Sequence, residues 1–204
     1  MCRWTLNWGE IRSDIVIGSC PMTEEDLEWI QSFAGATAML SLQHADCLAF
    51  WDIDEAALRR AGERLGLEMA RFPIRDFDIE DMRRRLPDAI PLLAGMIRRG
   101  HRVYVHCTAG MGRAPLVVLG YLALVEGVPP EAAFRMIHAG RPEAVPAWEA
   151  FEGAREDLAA RYKDVIEARA YTLYEKGVNN DARADWIQAR AEVLAAVLTL
   201  PESS

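Results

Sequence analysis

Cys107 and Arg113 lie six positions apart in His106-Cys-Thr-Ala-Gly-Met-Gly-Arg113, a spacing suited to capturing and attacking a phosphoryl group. Arginine presents its N–H groups as a planar fork that fits two phosphate oxygens. Gly110 and Gly112 permit the backbone angles of a tight curl, in which the N–H groups of Thr108, Ala109, Gly110, Met111 and Gly112 can converge on one anion. A helix following the loop adds the partial positive charge of its N-terminus. Such surroundings hold a cysteine as the thiolate, the form that attacks phosphorus and leaves a phosphocysteine intermediate. His106 is then expected to order the loop through hydrogen bonds, because a preformed thiolate needs no base. A lone cysteine beside a core histidine would read as packing; the complete spacing argues for chemistry.

The leaving oxygen needs a proton, and a carboxylate on a nearby loop supplies it. Asp76 in Phe72-Pro-Ile-Arg-Asp-Phe-Asp78 is the candidate. Its loop follows a predicted strand and so belongs at the same sheet edge as the Cys107 loop. Asp78 is the rival, and the alternative for either is an ordinary turn carboxylate. In the second step the same group, as a carboxylate, would activate the water that releases phosphate.

Strands alternating with helices position these loops. Strands are predicted at Asp14–Gly18, Ala38–Leu42, Leu67–Phe72 (closed by Pro73) and Arg102–His106. Between them, Thr23-Glu-Glu-Asp26 offers an N-cap and acidic first turn to a helix carrying Leu27, Ile30 and Phe33. Ile53–Leu67 and Asp78–Arg99 read as helical, with Pro87 starting a new helix. Leu116–Val125 is strongly apolar, Pro129-Pro-Glu131 starts another helix, and Pro142–Pro146 breaks the chain. The expectation is an α/β fold, a central mainly parallel sheet flanked by helices. Two further helices, Glu156–Glu175 and Asp181–Leu198, separated by Gly177-Val-Asn-Asn180, form a C-terminal helical hairpin with Trp186, Val193, Leu194 and Val197 on one face. The expected division is a catalytic unit over residues 1–158 and a helical appendage over 159–204.

Bulk properties narrow the class. The chain has 204 residues, 51% apolar and 26% charged, enough to fill the core of one ordinary domain. Its net charge of -8 and lack of a basic face argue against nucleic acid; Arg83-Arg84-Arg85 sits among acids and reads as a solvated helix face. Cys2, Cys20, Cys47 and Cys107 show no zinc-type spacing and are expected as mostly free thiols. Met1–Trp8 lacks the apolar run of a signal peptide, and no stretch approaches the ~20 apolar residues of a membrane span. A cytoplasmic location follows, with neither membrane nor nucleic-acid partner. No metal or cofactor is expected, since Arg113 and the loop amides can stabilise the transferring charge.

The HCxxGxxR loop after a strand, with an upstream Asp loop, resembles the protein tyrosine and dual-specificity phosphatase superfamily. Within it, His106 to Pro115 is similar to the glucan phosphatases, especially the plant starch-excess type, and animal laforin shares the Cys-x-Ala-Gly-x-Gly-Arg core. Val16–Cys20 with Glu25-Asp26, Leu42-Gln43, Phe50-Trp51, Arg75–Asp78 and Arg85–Pro87 extend the resemblance over residues from about 10 to 158. It implies a dual-specificity phosphatase fold, Cys107 as nucleophile, Arg113 as phosphate binder and Asp76 as general acid. It also implies phosphorylated glucan as substrate, with Phe77 stacking on sugar and Trp51 or Phe50 extending that platform. Core packing is the alternative for these aromatics.

Three departures stand out. Ala114 replaces a hydroxyl that many relatives place after the arginine, as the plant starch phosphatases also do. No carbohydrate-binding module is recognisable. Ser41 stands where some plant enzymes carry a cysteine able to pair with the nucleophile, leaving Cys20 or Cys47 as substitutes. Separately, Glu167–Glu175 with Trp186 and Ala189–Leu194 resembles a short bacterial helical domain, in which Trp186 would seal the hairpin core. Two other readings use the same residues: a general dual-specificity phosphatase acting on phosphoproteins or small phosphoesters, and a binding module that has lost turnover, supported only by Ala114.

Overall fold

The apolar runs predicted as strands pair into one sheet, and the amphipathic stretches between them cover both its faces. The computed structural model describes residues 5–199; Cys2 and most of the expected N- and C-terminal extremes lie outside the described residues. In chain order the elements are β1 (Trp8–Arg12), β2 (Ile15–Gly18), α1 (Glu24–Ser32), β3 (Ala38–Gln43), α2 (Ala45–Phe50), α3 (Glu55–Arg64), β4 (Glu68–Ile74), α4 (Ile79–Arg98) and β5 (Val103–His106). There follow α5 (Arg113–Gly120), a π-helical turn (Tyr121–Val125), α6 (Pro130–Gly140), α7 (Trp148–Arg161), α8 (Lys163–Glu175) and α9 (Ala182–Val197).

The sheet order is β1-β2-β5-β3-β4; β2, β5, β3 and β4 are parallel, and β1 is antiparallel to β2. The expected α/β architecture is therefore present, with β1 added at one edge. Side chains alternate across the sheet. Ile15, Ile17, Leu40, Leu42, Val103 and Val105 share the larger core with residues of α4 to α7. The intervening Val16, Met39 and Tyr104 pack with Leu27 and Ile30 of α1 and Ala61 of α3 on the opposite face.

Local signals account for most boundaries. Thr23 caps α1: its hydroxyl accepts from Asp26 N–H, and the Asp26 carboxylate accepts from Thr23 N–H at 3.0 Å. Leu27 and Ile30 are buried as expected, but Phe33 is exposed at the helix end, edge-on to Trp29. Asp54 caps α3, which is shorter than the predicted Ile53–Leu67, and the six-residue α2 has too few turns to leave a periodic pattern.

Prolines misplace two boundaries. β4 runs through Pro73, which is tolerated because β4 is an edge strand and a missing N–H costs little there. α4 is one continuous helix through Pro87 and Pro91, so Pro87 does not start a new helix. Two interior prolines cost roughly 3 kcal/mol each, whereas burying Met82, Leu86, Ile90, Leu93 and Met96 contributes about 1.5–3 kcal/mol each. Packing wins.

The C-terminal reading needs two corrections. The predicted helix Glu156–Glu175 is broken at Tyr162; its opening stretch, Glu156–Arg161, belongs to α7, which begins at Trp148, packs on α4 and contains residue 158. The hairpin is α8 with α9, around Ile166, Leu173, Ala189 and Val193, while Leu194 and Leu198 join the larger core. Trp186 does not seal this core. It is 40% exposed, with the Arg190 guanidinium 5.1 Å above its ring, and its neighbour Asp185 is the buried residue, accepting from Asn179. Among the described residues, no helix is long and apolar enough to cross a membrane.

The two kinds of stabilisation should separate on denaturation. Thr23→Ala is expected to lower the unfolding free energy by about 1 kcal/mol, and Leu86→Ala by about 2–5 kcal/mol. Guanidinium titration measures both, and a Leu86→Ala loss no larger than that of Thr23→Ala would contradict the packing argument for α4.

Candidate active site

Parallel strands deliver their C-terminal ends to one edge of a sheet. Here the segments leaving β2, β5, β3 and β4 meet there. β5 ends at His106, and the loop Cys107–Gly112 leads directly into α5 at Arg113. Gly110 has φ +70°, and a Cβ on it would lie 2.3 Å from the Gly18 carbonyl oxygen. Only glycine lets the loop curl this way against the end of β2.

The loop is held from outside. Cys20 N–H donates to the Thr108 carbonyl (2.9 Å) and Val145 N–H to that of Met111 (2.7 Å). The Ala109 and Gly110 carbonyls accept from Arg141. Among the described residues, the N–H groups of Thr108, Ala109, Gly110, Met111 and Gly112 have no protein acceptor. Cys107, 3% exposed, lies at the start of this unsatisfied run. His106 Nδ1 is 2.9 Å from the Cys107 carbonyl oxygen. Burial, reinforced by the nearby Arg113 charge, pushes the His106 imidazole down to about 4, so the neutral ring donates Nδ1–H to that carbonyl.

Arg113 is 1% exposed. Its Nη1 donates to the Ile74 carbonyl (3.0 Å) at the end of β4 and lies 3.4 Å from Cys47 Sγ. Its Nη2 donates to Asp76 Oδ2 (2.6 Å) and Thr108 Oγ1 (3.1 Å). Nε is buried with no partner. One edge of the guanidinium fork therefore has a vacant donor beside one holding a carboxylate. That edge matches two oxygens of a phosphate.

Asp76 and its rival Asp78 are in different positions. Asp78 caps α4 by accepting from Asp81 N–H (2.9 Å); Asp76 faces the cleft. Between them Phe77 adopts φ +57° and is 93% exposed. An aromatic residue in this left-handed region costs on the order of 1–3 kcal/mol, and no core contact offsets it. Phe50 is also exposed, and Trp51 is half-buried with its ring edge-on to Phe50 at 5.1 Å. Core packing therefore does not account for Phe77 or Phe50. Both, with Trp51, Asp76, Cys107, Thr108 and Met111, line a cleft of about 790 Å³.

The structure thus gathers Asp76, the three aromatics and the loop residues Cys107, Thr108, Ala109, Met111 and Gly112 around one cleft; Arg113 does not line it but is buried against Asp76, and His106 and Gly110 lie off its wall. Cys47 also lines it. Cys20 is buried behind the loop, its thiol pushed up to about 12 by burial and the nearby Cys107. Sequence reasoning missed Val145, Ile79 and Met82 on the cleft wall, and Arg141 behind the loop. Val145 falls in the Pro142–Pro146 break; Arg141 carries no local signal, because its contacts are distant in sequence.

A family model described as dual specificity phosphatase, catalytic domain, matches residues 51–152. Phosphoglucan phosphatase LSF1, chloroplastic, of Arabidopsis thaliana is 34% identical over 141 residues, 68% of this chain and 24% of the relative. Phosphoglucan phosphatase DSP4, amyloplastic, of Castanea sativa is 35% identical over 155 residues, 75% of this chain and 41% of the relative. The chain thus spans less than half the length of either relative. The solved structure of Tk-PTP in its active form is similar in fold, with TM-score 0.58 and 22% identity over 73% of this chain and 94% of that one.

The state of His106 has a consequence for stability. Its folded value near 4 lies below the ordinary 6.5, so the unfolded chain binds more protons between those pH values. The contribution is fully present above pH 6.5 and is lost as pH falls towards 4, by on the order of 3 kcal/mol. Denaturation midpoints measured across this window should fall, and less steeply in His106→Gln; the same slope in both proteins would assign the loss to other groups.

Proposed function

The chain belongs to the dual-specificity phosphatase family, and from that premise we propose that it hydrolyses phosphate monoesters on glucan through a phosphocysteine intermediate. The observation that carries this reading is the run of unsatisfied N–H groups from Thr108 to Gly112 beside the vacant Nε of Arg113. Five inward donors and half a guanidinium fork suit the equatorial oxygens of a phosphoryl group.

The steps follow from this geometry. A phosphoryl group entering the loop takes the Nε and Nη2 edge of Arg113 and displaces Asp76. Once displaced from Arg113, Asp76 takes up a proton from solvent; Cys107 Sγ attacks phosphorus as the bond to the leaving oxygen breaks, and Asp76 gives that oxygen this proton. Asp76, now a carboxylate, takes a proton from water; the water oxygen attacks phosphorus, the P–S bond breaks, and phosphate leaves with Cys107 regenerated. Arg113 and the amides stabilise the charge on the transferring oxygens in both steps. No cofactor is assigned a role, and activity is expected to survive a chelator.

Glucan is favoured over peptide by Phe77 and Phe50, whose exposed rings stand beside Asp76 and Cys107. A flat, partly apolar ring suits the face of a sugar, and both plant relatives carry phosphoglucan phosphatase in their names. We place catalysis in the sheet and its flanking helices, with the α8–α9 hairpin as an appendage. A reducing compartment such as the cytoplasm suits a nucleophile that must remain unoxidised.

Phosphate release from phosphorylated amylopectin or glycogen, with an aryl phosphate as reference, tests the proposal. Cys107→Ser should abolish release from both. Phe77→Ala should reduce glucan turnover about 5- to 10-fold, the loss of roughly 1 kcal/mol of stacking, and leave the aryl phosphate nearly unaffected. Equal losses on both would remove the platform. Turnover of phosphopeptides in preference to glucan would move the substrate to phosphoproteins.

A further inference from the structure

A loop can aim successive N–H groups at an anion only if the carbonyls of the same peptide units are held the other way, and a buried carbonyl needs a donor. The Cys107 carbonyl has His106 Nδ1, Thr108 has Cys20 N–H, Met111 has Val145 N–H, and Gly112 has Leu116 N–H within α5. The two central carbonyls depend on a single side chain. Arg141 donates from Nη2 to Ala109 O (2.8 Å) and from Nε to Gly110 O (3.0 Å). Nη2 also donates to Asn7 Oδ1 at 2.6 Å, and Asn7 is tied through its backbone to Ser19 at the end of β2.

Arg141 is 5% exposed, and among the described residues no carboxylate lies within ion-pair distance of it. An arginine buried only for stability is normally paired with a carboxylate. This one spends its donors on two loop carbonyls and one amide oxygen, so its full charge remains directly behind the phosphate-binding curve. Resting on the catalytic reading above, we propose that Arg141 is a positioning residue: it fixes the two central peptide planes of the Cys107 loop in their anion-binding orientation and adds its field from behind, without touching substrate. Lysine cannot substitute, because one ammonium cannot reproduce the fork that spans adjacent carbonyls.

The test is tungstate binding to the intact chain by titration calorimetry, which needs no turnover, alongside kcat and KM on an aryl phosphate. Arg141→Lys and Arg141→Met should each weaken tungstate about ten-fold or more, with KM rising and kcat falling together, because ground state and transition state use the same amides. Asn7→Ala, which removes an anchor of Arg141 together with a local bond to the Thr5 carbonyl, should weaken tungstate by about three-fold, and this effect should vanish in the Arg141→Met background. Should Arg141→Met fail to fold, Arg141→Lys and Asn7→Ala decide. Tungstate affinity within about two-fold of the parent in both would overturn the inference, since a merely structural arginine changes the amount of folded protein but not its affinity. A parent chain that binds tungstate but turns over no phosphate ester would instead count against the catalytic reading.

Discussion

A guanidinium removed from water is the constraint around which this molecule is organised. Arg113 has 1% exposure, and a cation so desolvated needs partners on every side. The fold supplies them from strand ends: the Ile74 carbonyl from β4, Thr108 from the loop after β5, and Asp76 from the loop after β4. Parallel pairing of β5, β3 and β4 puts those partners within reach of one side chain. Sheet topology and charge solvation are thus one requirement, and Nε is the donor left unmatched.

Asp76 fits this picture as a stand-in. Its carboxylate neutralises Arg113 in the free chain, so arrival of a phosphate exchanges one anion for another instead of burying a new charge. On the proposed mechanism the exchange also frees Asp76 to act on the leaving oxygen. The strained backbone at Phe77 and the N-cap at Asp78 hold the far end of the Asp76 loop: the cap anchors it to α4, and Phe77 keeps an aromatic ring at the mouth of the cleft.

What the sequence made legible was local. The Cys107 loop could be read because glycine, cysteine and arginine must occur at fixed offsets for the curl to close. The Thr23 cap and the alternating strands were legible for similar reasons. The failures arose where tertiary burial overrides local preference: Pro87 and Pro91 stay inside α4 because its apolar face covers the sheet, and Trp186 faces outward while Asp185 turns in. Arg141 was invisible because its role is defined by carbonyls from a distant loop. Sequence already favoured Asp76 over Asp78, from its place in the loop after a strand; the N-cap role of Asp78 on α4 is a difference that only the structure displays.

Pro73 has a significance beyond where β4 ends. An edge strand displays a row of free donors and acceptors to any extended chain that drifts past. In β4, Pro73 removes one donor from that row, and Glu68 and Arg71 set charges along it. The open side of the sheet is a poor template for further strands. The strand that leads to Asp76 can therefore end in an aromatic-rich cleft without inviting a second molecule to zip onto it.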